Sequence, residues 1–154
     1  MTAKKYAEGD WFAVPLRGSG YAVGVVARAS RSGVLLGYFF GHGHLRLPTL
    51  ADVETLRPAD AIHVQRFGHL GLQQGTWPVL GRLAGWDRLA WPMPTFVRYE
   101  ELTGRSLRFM YDADDPNRLV REIEVEPGLP EQGPRDAMAG AGALERTLTL
   151  LLAT

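Results

Sequence analysis

The strongest constraint on the fold is a set of three apolar runs near the N-terminus, separated by turns rich in glycine and serine. The runs cover residues 10–16, 21–29 and 34–40. In the second run the side chains alternate with a period of two, which is typical of a β-strand. One face holds Tyr21, Val23, Val25 and Ala27, and the other holds Ala22, Gly24, Val26 and Arg28. The three runs therefore predict an antiparallel meander, curled where Gly24 and Gly37 permit bending.

The sequence also predicts two helices, and a proline restricts the position of the first strand. Leu50, Val53 and Leu56 fall at helical spacing and predict a short helix near residues 50–56. Apolar side chains repeat at steps of three and four from residue 138 to 151, which predicts a C-terminal helix, firmest from Ala143. Pro15 has no N–H to donate, so the first strand is expected to be an edge strand or to bend there.

The remaining strand signals complete the predicted fold class. Extended runs recur at residues 61–67, 79–83, 96–100, 106–111 and 119–125. The chain is therefore predicted to be α+β, with a mostly antiparallel β-sheet or partly open barrel of about seven or eight strands. Its length fits a single domain over residues 1–154, in which residues 127–134, rich in proline and glycine, connect to the C-terminal helix.

Composition narrows the classes of function. The chain has no cysteine, which excludes disulfides, thiolate catalysis and cysteine-based zinc sites and fits a cytoplasmic location. No segment approaches the ~20 apolar residues that span a bilayer, and residues 1–10 do not form a secretory signal. The 17 basic and 17 acidic residues balance, which argues against nucleic-acid binding. A nucleic-acid binder built on the curled meander is the least supported alternative.

Histidines are the main candidates for catalytic chemistry. His42 and His44 would share a face of a strand and could chelate a metal, but a site needs further ligands. His63 and His69 are the only other histidines. The sequence therefore predicts no catalytic residue, metal or cofactor. A small metal-dependent or small-molecule enzyme using His42 and His44 remains the alternative, and a polar loop after the third strand is the simplest interpretation of this segment.

An acidic segment is the candidate for contact with a partner. Residues 100–126 hold four basic and eight acidic residues, a net charge of −4. Part of this segment, residues 112–117, has the Asp, Pro and Asn content of a turn. Trp77, Trp86 and Trp91 are open to either a core or an interface role, since tryptophan serves in both. The candidate interface residues are Asp112, Asp114, Asp115, Glu122 and Glu124.

Several motifs resemble the immunity protein 26 family, a family of bacterial immunity proteins from polymorphic toxin systems. The resemblance spans roughly residues 8–125 and is carried by the residues at 9–16, 20–26, 37–40, 66–68, 75–79 and 91–92. It implies a cytoplasmic, antitoxin-like protein that binds and neutralises a cognate toxin domain without catalysis. No residue inherits a catalytic role from the resemblance. If the toxin is a basic nuclease, the acidic segment is the expected contact because complementary charge speeds encounter.

Overall fold

A computed structural model describes residues 3–125 and 132–153, and this part of the chain forms nine strands and three α-helices. The strands are β1 (Asp10–Pro15), β2 (Tyr21–Ala29), β3 (Val34–His44), β4 (His63–Gly68), β5 (Val79–Arg82), β6 (Phe96–Glu100), β7 (Arg105–Tyr111), β8 (Leu119–Val125) and β9 (Met138–Ala139). The helices are α1 (Leu50–Val53), α2 (Leu70–Gln74) and α3 (Ala141–Leu151), and short 3-10 helices lie at Pro58–Asp60 and Arg88–Ala90. Among the described residues, no helix is long and apolar enough to cross a membrane.

The strands form two sheets, and neither closes into a barrel. The larger sheet has the order β5-β1-β2-β3-β4-β9, and the smaller has the order β6-β7-β8. All neighbouring strands are antiparallel except β4 and β9. The predicted α+β class is confirmed. The count exceeds eight because β9, with only two residues, has no periodicity that a sequence pattern can detect.

Strand β1 is an inner strand of the sheet over its first residues, but at Pro15 it has a neighbour on one side only, as the sequence led us to expect. It pairs with β2 along most of its length and with β5 only over Asp10, Trp11 and Phe12. The Ala13 N–H donates to the Pro78 carbonyl, just before β5 begins. Pro15 therefore lies beyond the end of β5, where a missing N–H breaks no ladder bond.

Helices cover one face of the six-stranded sheet, here called the helix-covered face. Trp77 stacks on Phe12 with ring centroids 5.9 Å apart and an interplanar angle of 5°. Leu144 and Leu148 of α3 and Leu72 of α2 close this face. Its buried residues are Tyr6, Phe12, Val14, Ala22, Val26, Leu35, Phe39, Phe67, Leu72, Trp77, Ala139, Leu144 and Leu148.

Two glycines make room for the aromatic rings of this face. A Cβ at Gly24 would lie 2.8 Å from atoms of both Phe12 and Phe39. A Cβ at Gly37 would lie 2.6 Å from Phe67. The sequence predicted that these glycines permit bending, and the structure adds that no larger residue fits beside the three phenyl rings.

The three-stranded sheet covers the opposite face, here called the sheet-covered face. It contributes Phe96, Leu107 and Phe109 to the buried cluster, and Trp91 packs edge-on against Tyr38 at 5.2 Å. Both faces of the central strands are therefore buried. The buried residues of this face are Trp11, Val23, Val25, Ala27, Leu36, Tyr38, Phe40, Val53, Trp91, Phe96, Leu107 and Phe109.

A β-bulge corrects the predicted alternation at the end of β2. Val26 pairs with Gly37, but Arg28 pairs with Leu36, so one residue is extra in β2. Because the bulge shifts the register, Arg28 lies on the sheet-covered face rather than beside Val26. This shift buries an arginine, which alternation alone placed on the other face.

Residues 134–139 tie the two sheets together. Most of the predicted connector, residues 127–131, lies outside the described residues. From Pro134 onward the chain runs along β6, because the Val97 N–H donates to the Pro134 carbonyl and the Asp136 N–H donates to the Val97 carbonyl. The same segment then adds β9 to the larger sheet and enters α3.

Candidate partner-binding surface

The acidic turn, residues 112–118 between β7 and β8, is closed by its own side chains. The Asp112 carboxylate accepts from the Asp114 N–H at 2.9 Å, and the Asp115 carboxylate accepts from the Asn117 N–H at 2.9 Å. The Asp112 N–H donates to the Arg118 carbonyl at 2.8 Å. The turn predicted from the sequence is confirmed, and two of its aspartates hold the backbone.

Arg28 fixes this turn to the body of the protein. Its buried guanidinium donates to the carbonyls of Ala113 at 2.8 Å and of Trp91 and Arg88 at 3.1 Å. Burial lowers the pKa of Arg28, and the nearby Arg88 lowers it further. Three main-chain carbonyls from two distant segments thus converge on one cation, which explains how a polar turn keeps a fixed position.

Arg88 adds an ion-pair link at the surface. Its guanidinium donates to Asp114 at 2.7 Å and to both oxygens of Glu8 at 3.0 and 3.1 Å. The hydrogen bonds to Glu8 and then Asp114 raise the pKa of Arg88. The charge of Asp114 is therefore largely engaged within the protein, although its side chain remains exposed.

The acidic turn meets the tip of the β2–β3 hairpin. Asn117 donates through Nδ2 to Ser32 Oγ at 2.8 Å, and Ser32 Oγ lies 3.0 Å from Ser30 Oγ. A depression of about 450 Å³ lies between the two tips. It is lined by Ala29, Ser30, Arg31, Ser32, Asp114, Asp115 and Asn117.

The other two predicted interface residues lie along β8. Glu122 pairs in register with Phe109, and Glu124 pairs with Leu107. Arg105 donates to Glu124 at 2.9 Å. The five predicted acidic residues therefore form two groups, three on the turn and two on an exposed strand, rather than one patch. Within the described residues, Asp115 and Glu122 make no ion pair.

The two histidines considered for metal binding lie side by side. His42 and His44 both belong to β3, which extends past the loop expected there, and their ring centroids are 5.2 Å apart. Across residues 3–125 and 132–153, no group of three or more histidines and carboxylates is placed to hold a metal ion. The described residues therefore assemble no metal centre around this pair.

A buried polar network, which no sequence motif indicates, joins the sheets. Asp136 accepts from Tyr111 at 2.6 Å, from Arg98 at 3.2 Å and from Arg66 at 3.4 Å. Arg66 also lies 3.9 Å from the centroid of the Tyr111 ring. Burial, followed by the hydrogen bond to Asp136, raises the pKa of Tyr111 to about 12. These residues come from four separate segments, so no local motif connects them.

Two of the three tryptophans considered above lie in the core, and the third lies beside a cleft. Trp77 is fully buried on the helix-covered face and donates through Nε1 to Glu145 at 2.8 Å. Trp91 is buried on the sheet-covered face, whereas Trp86 is only half-buried. A cleft of about 370 Å³ lies beside it, and we call it the indole cleft. It is lined by Trp11, Glu54, Leu56, Leu83, Ala84, Gly85, Trp86 and Trp91.

The fold and these surfaces define a two-sheet α+β protein with a cleft on the sheet-covered side and a depression beside the acidic turn. A family model described as Immunity protein 26 matches residues 7–107. The chain belongs to the immunity protein 26 family, which confirms the resemblance seen in the sequence. The match includes the whole indole cleft and ends before the acidic turn. No curated protein and no solved structure matches the chain.

Proposed function

We propose that this protein is a bacterial immunity protein that acts in the cytoplasm and neutralises the cognate domain of a polymorphic toxin. Membership of the immunity protein 26 family carries this proposal. Neutralisation by binding needs a fixed surface and no catalytic group. This requirement suits a chain in which the described residues assemble no metal cluster.

The acidic turn and β8 are the proposed contact, through Asp112, Asp114, Asp115, Glu122 and Glu124. Arg28 holds the turn in place, so little conformational entropy is lost when a partner docks. Asp115 and Glu122 have no ion pair in the described part of the chain and are available to a basic partner. Complementary charge mainly accelerates association, and the effect weakens as salt rises.

Co-expression with the toxin encoded beside its gene tests the proposed function. We expect the protein to rescue growth of cells that produce the toxin and to co-purify with the toxin domain. Failure of both rescue and co-purification, with both proteins folded and present, would refute the proposal. Rescue without a complex would instead favour an enzymatic mechanism, and the test then moves to the His42→Ala/His44→Ala variant.

A charge variant tests the proposed contact. Asp115→Asn combined with Glu122→Gln removes two negative charges, and asparagine keeps the ability to accept from the Asn117 N–H. We expect the Kd for the toxin to rise about tenfold at low salt, mainly through slower association. Glu101→Lys is the matched control, since it changes net charge equally on the β6–β7 turn. Equal effects of the two variants would show that only net charge matters.

A further inference from the structure

The indole cleft combines a wall of three aromatic rings with one carboxylate. Trp91 lies between the other two indoles, edge-on to Trp11 at 5.8 Å and nearly parallel to Trp86 at 5.9 Å. Leu56 and Leu83 complete the apolar lining. The volume of about 370 Å³ suits a single side chain or a small ligand.

Glu54 gives the cleft its charge. It follows α1 directly, lines the cleft and is exposed. The acidic residues near it in sequence are engaged, because Asp52 accepts from the Thr49 N–H at 2.8 Å and Asp60 accepts from the Arg57 N–H at 2.9 Å. Within the described residues, Glu54 makes no hydrogen bond or ion pair. A free carboxylate beside stacked indoles is therefore available to a cation.

Two indole N–H groups bordering the cleft lack acceptors. Nε1 of Trp11 and Nε1 of Trp86 are buried and have no hydrogen-bond partner in the described structure. An unmet buried donor costs about 1–3 kcal/mol. Both nitrogens are closed to solvent, so an acceptor reaches them only if the side chains that cover them shift. A peptide partner supplies such an acceptor, because every residue carries a carbonyl next to its side chain.

We infer that the indole cleft receives a cationic side chain, arginine or lysine, from the protein that this chain binds. Indole rings attract cations through their π-faces, and Glu54 adds an opposite charge at the same place. A neutral apolar ligand would desolvate Glu54 without pairing it, and an acidic ligand would be repelled by it. The identity of the partner as a toxin domain rests on the proposed function, whereas the cation preference rests on the cleft alone.

The cation preference is tested with small probes on the whole protein. N-acetyl-arginine amide is titrated while the indole N–H signals are followed by NMR, and N-acetyl-citrulline amide serves as its neutral isostere. We expect saturable shifts of the Trp86 and Trp11 signals with the arginine probe only. Glu54→Gln should weaken binding about fivefold to tenfold, and Glu101→Gln should not change it. No saturable shift, or equal shifts with both probes, overturns the inference.

The toxin complex separates this inference from the proposed function. If the toxin binds, Glu54→Gln should raise its Kd by about the same factor as it raises that of the arginine probe. An unchanged Kd for Glu54→Gln and for Trp86→Leu, with both variants folded, overturns the cleft as a contact and leaves the immunity function standing. If no toxin binds but the arginine probe still requires Glu54, the immunity function fails and the cation site stands.

Discussion

The two faces of the six-stranded sheet are closed in different ways. The helix-covered face is aromatic, and ring contacts connect Phe12, Phe39, Phe67 and Trp77. The sheet-covered face is closed by a second sheet, and polar groups hold that sheet in place. Arg28 and Asp136 are both buried on that side.

This difference suggests that one face mainly stabilises the fold, whereas the other also serves in binding a partner. Helices with short connections fill the space above a sheet closely, so the helix-covered face gains apolar burial. The second sheet meets the first through separate segments, which leaves recesses and demands hydrogen-bonded links. The indole cleft lies on that side, and the other depression lies where the second sheet meets the tip of the β2–β3 hairpin. We therefore expect substitutions on the helix-covered face to alter stability alone, and those on the sheet-covered face to alter binding too.

The largest expected effect comes from two adjacent residues of β3, which lie on opposite faces of the sheet. Phe39 and Phe40 are both fully buried, on opposite faces of the sheet. Each alanine variant should lose about 3–5 kcal/mol of unfolding free energy, because a phenyl ring leaves a cavity. Phe40 lies 5.5 Å from Trp11 and 6.0 Å from Trp91, so only Phe40→Ala should also change arginine-probe affinity. Denaturant unfolding and the NMR titration measure both effects, and equal changes in probe affinity would contradict the separation.

The buried network gives the next largest effect. Asp136→Ala should lower the unfolding free energy by about 3 kcal/mol, because Arg66 and the Tyr111 hydroxyl lose their buried acceptor. Asp136→Asn keeps an acceptor oxygen and should lose less. Equal losses for both variants, measured by denaturant unfolding, would show that the negative charge of Asp136, rather than its acceptor oxygen or its packing, holds the sheets together.

Local sequence patterns predicted most of the strands and helices, but not the contacts between distant segments. The apolar and extended runs located β1 to β8 within a few residues, since such runs depend on neighbours in sequence. The five-residue α2 contains Gly71 and carries no helical period, and the two-residue β9 is shorter than any periodic signal. Pattern length therefore decided which elements could be found.

The candidate site depends on contacts that sequence alone does not contain. Summed charge suggested one acidic patch, but Arg88 engages Asp114 and Arg105 engages Glu124 from distant positions. The indole cleft joins Trp11 and Glu54 to Trp86, and no spacing rule relates them. The bulge at Arg28 could not be predicted either. An extra residue in one strand leaves no mark on the alternation of apolar and polar residues, yet it moves the Arg28 side chain to the other face of the sheet.

Replacing Arg28, which connects the sheet-covered face with the acidic turn, should have a smaller effect on stability. Arg28→Met should lower the unfolding free energy by about 2 kcal/mol, because methionine fills a similar length but leaves the buried Trp91 carbonyl without this donor. The acidic turn should also loosen, since the Ala113 carbonyl loses its donor. We expect faster amide hydrogen exchange in residues 112–118 and unchanged exchange in α3. Unchanged exchange in the turn would show that the Arg88 ion pairs hold it alone.

The smallest expected effect is a pH dependence on the helix-covered side. Tyr6 belongs to that face, and its hydroxyl oxygen lies 2.7 Å from Nδ1 of His69. Burial, and then the charge of Lys4, lowers the pKa of His69 below 6.5 in the folded protein. The unfolded chain therefore binds a proton first as pH falls, so this contribution is fully present above pH 6.5 and is lost as pH drops through the folded pKa.

A comparison of melting temperatures isolates that histidine. Between pH 7.5 and 5.5 the Tm of the natural chain should fall, and His69→Gln should reduce the fall by about 2 °C, whereas His42→Gln at an exposed site should not. Asp52 and Asp60 do not interfere, because hydrogen bonds from Thr49 and Arg57 lower their pKa values below 3.8. Their contribution is lost only at more acidic pH. An identical fall in the natural chain and in His69→Gln would show that His69 is not the source of the acid sensitivity.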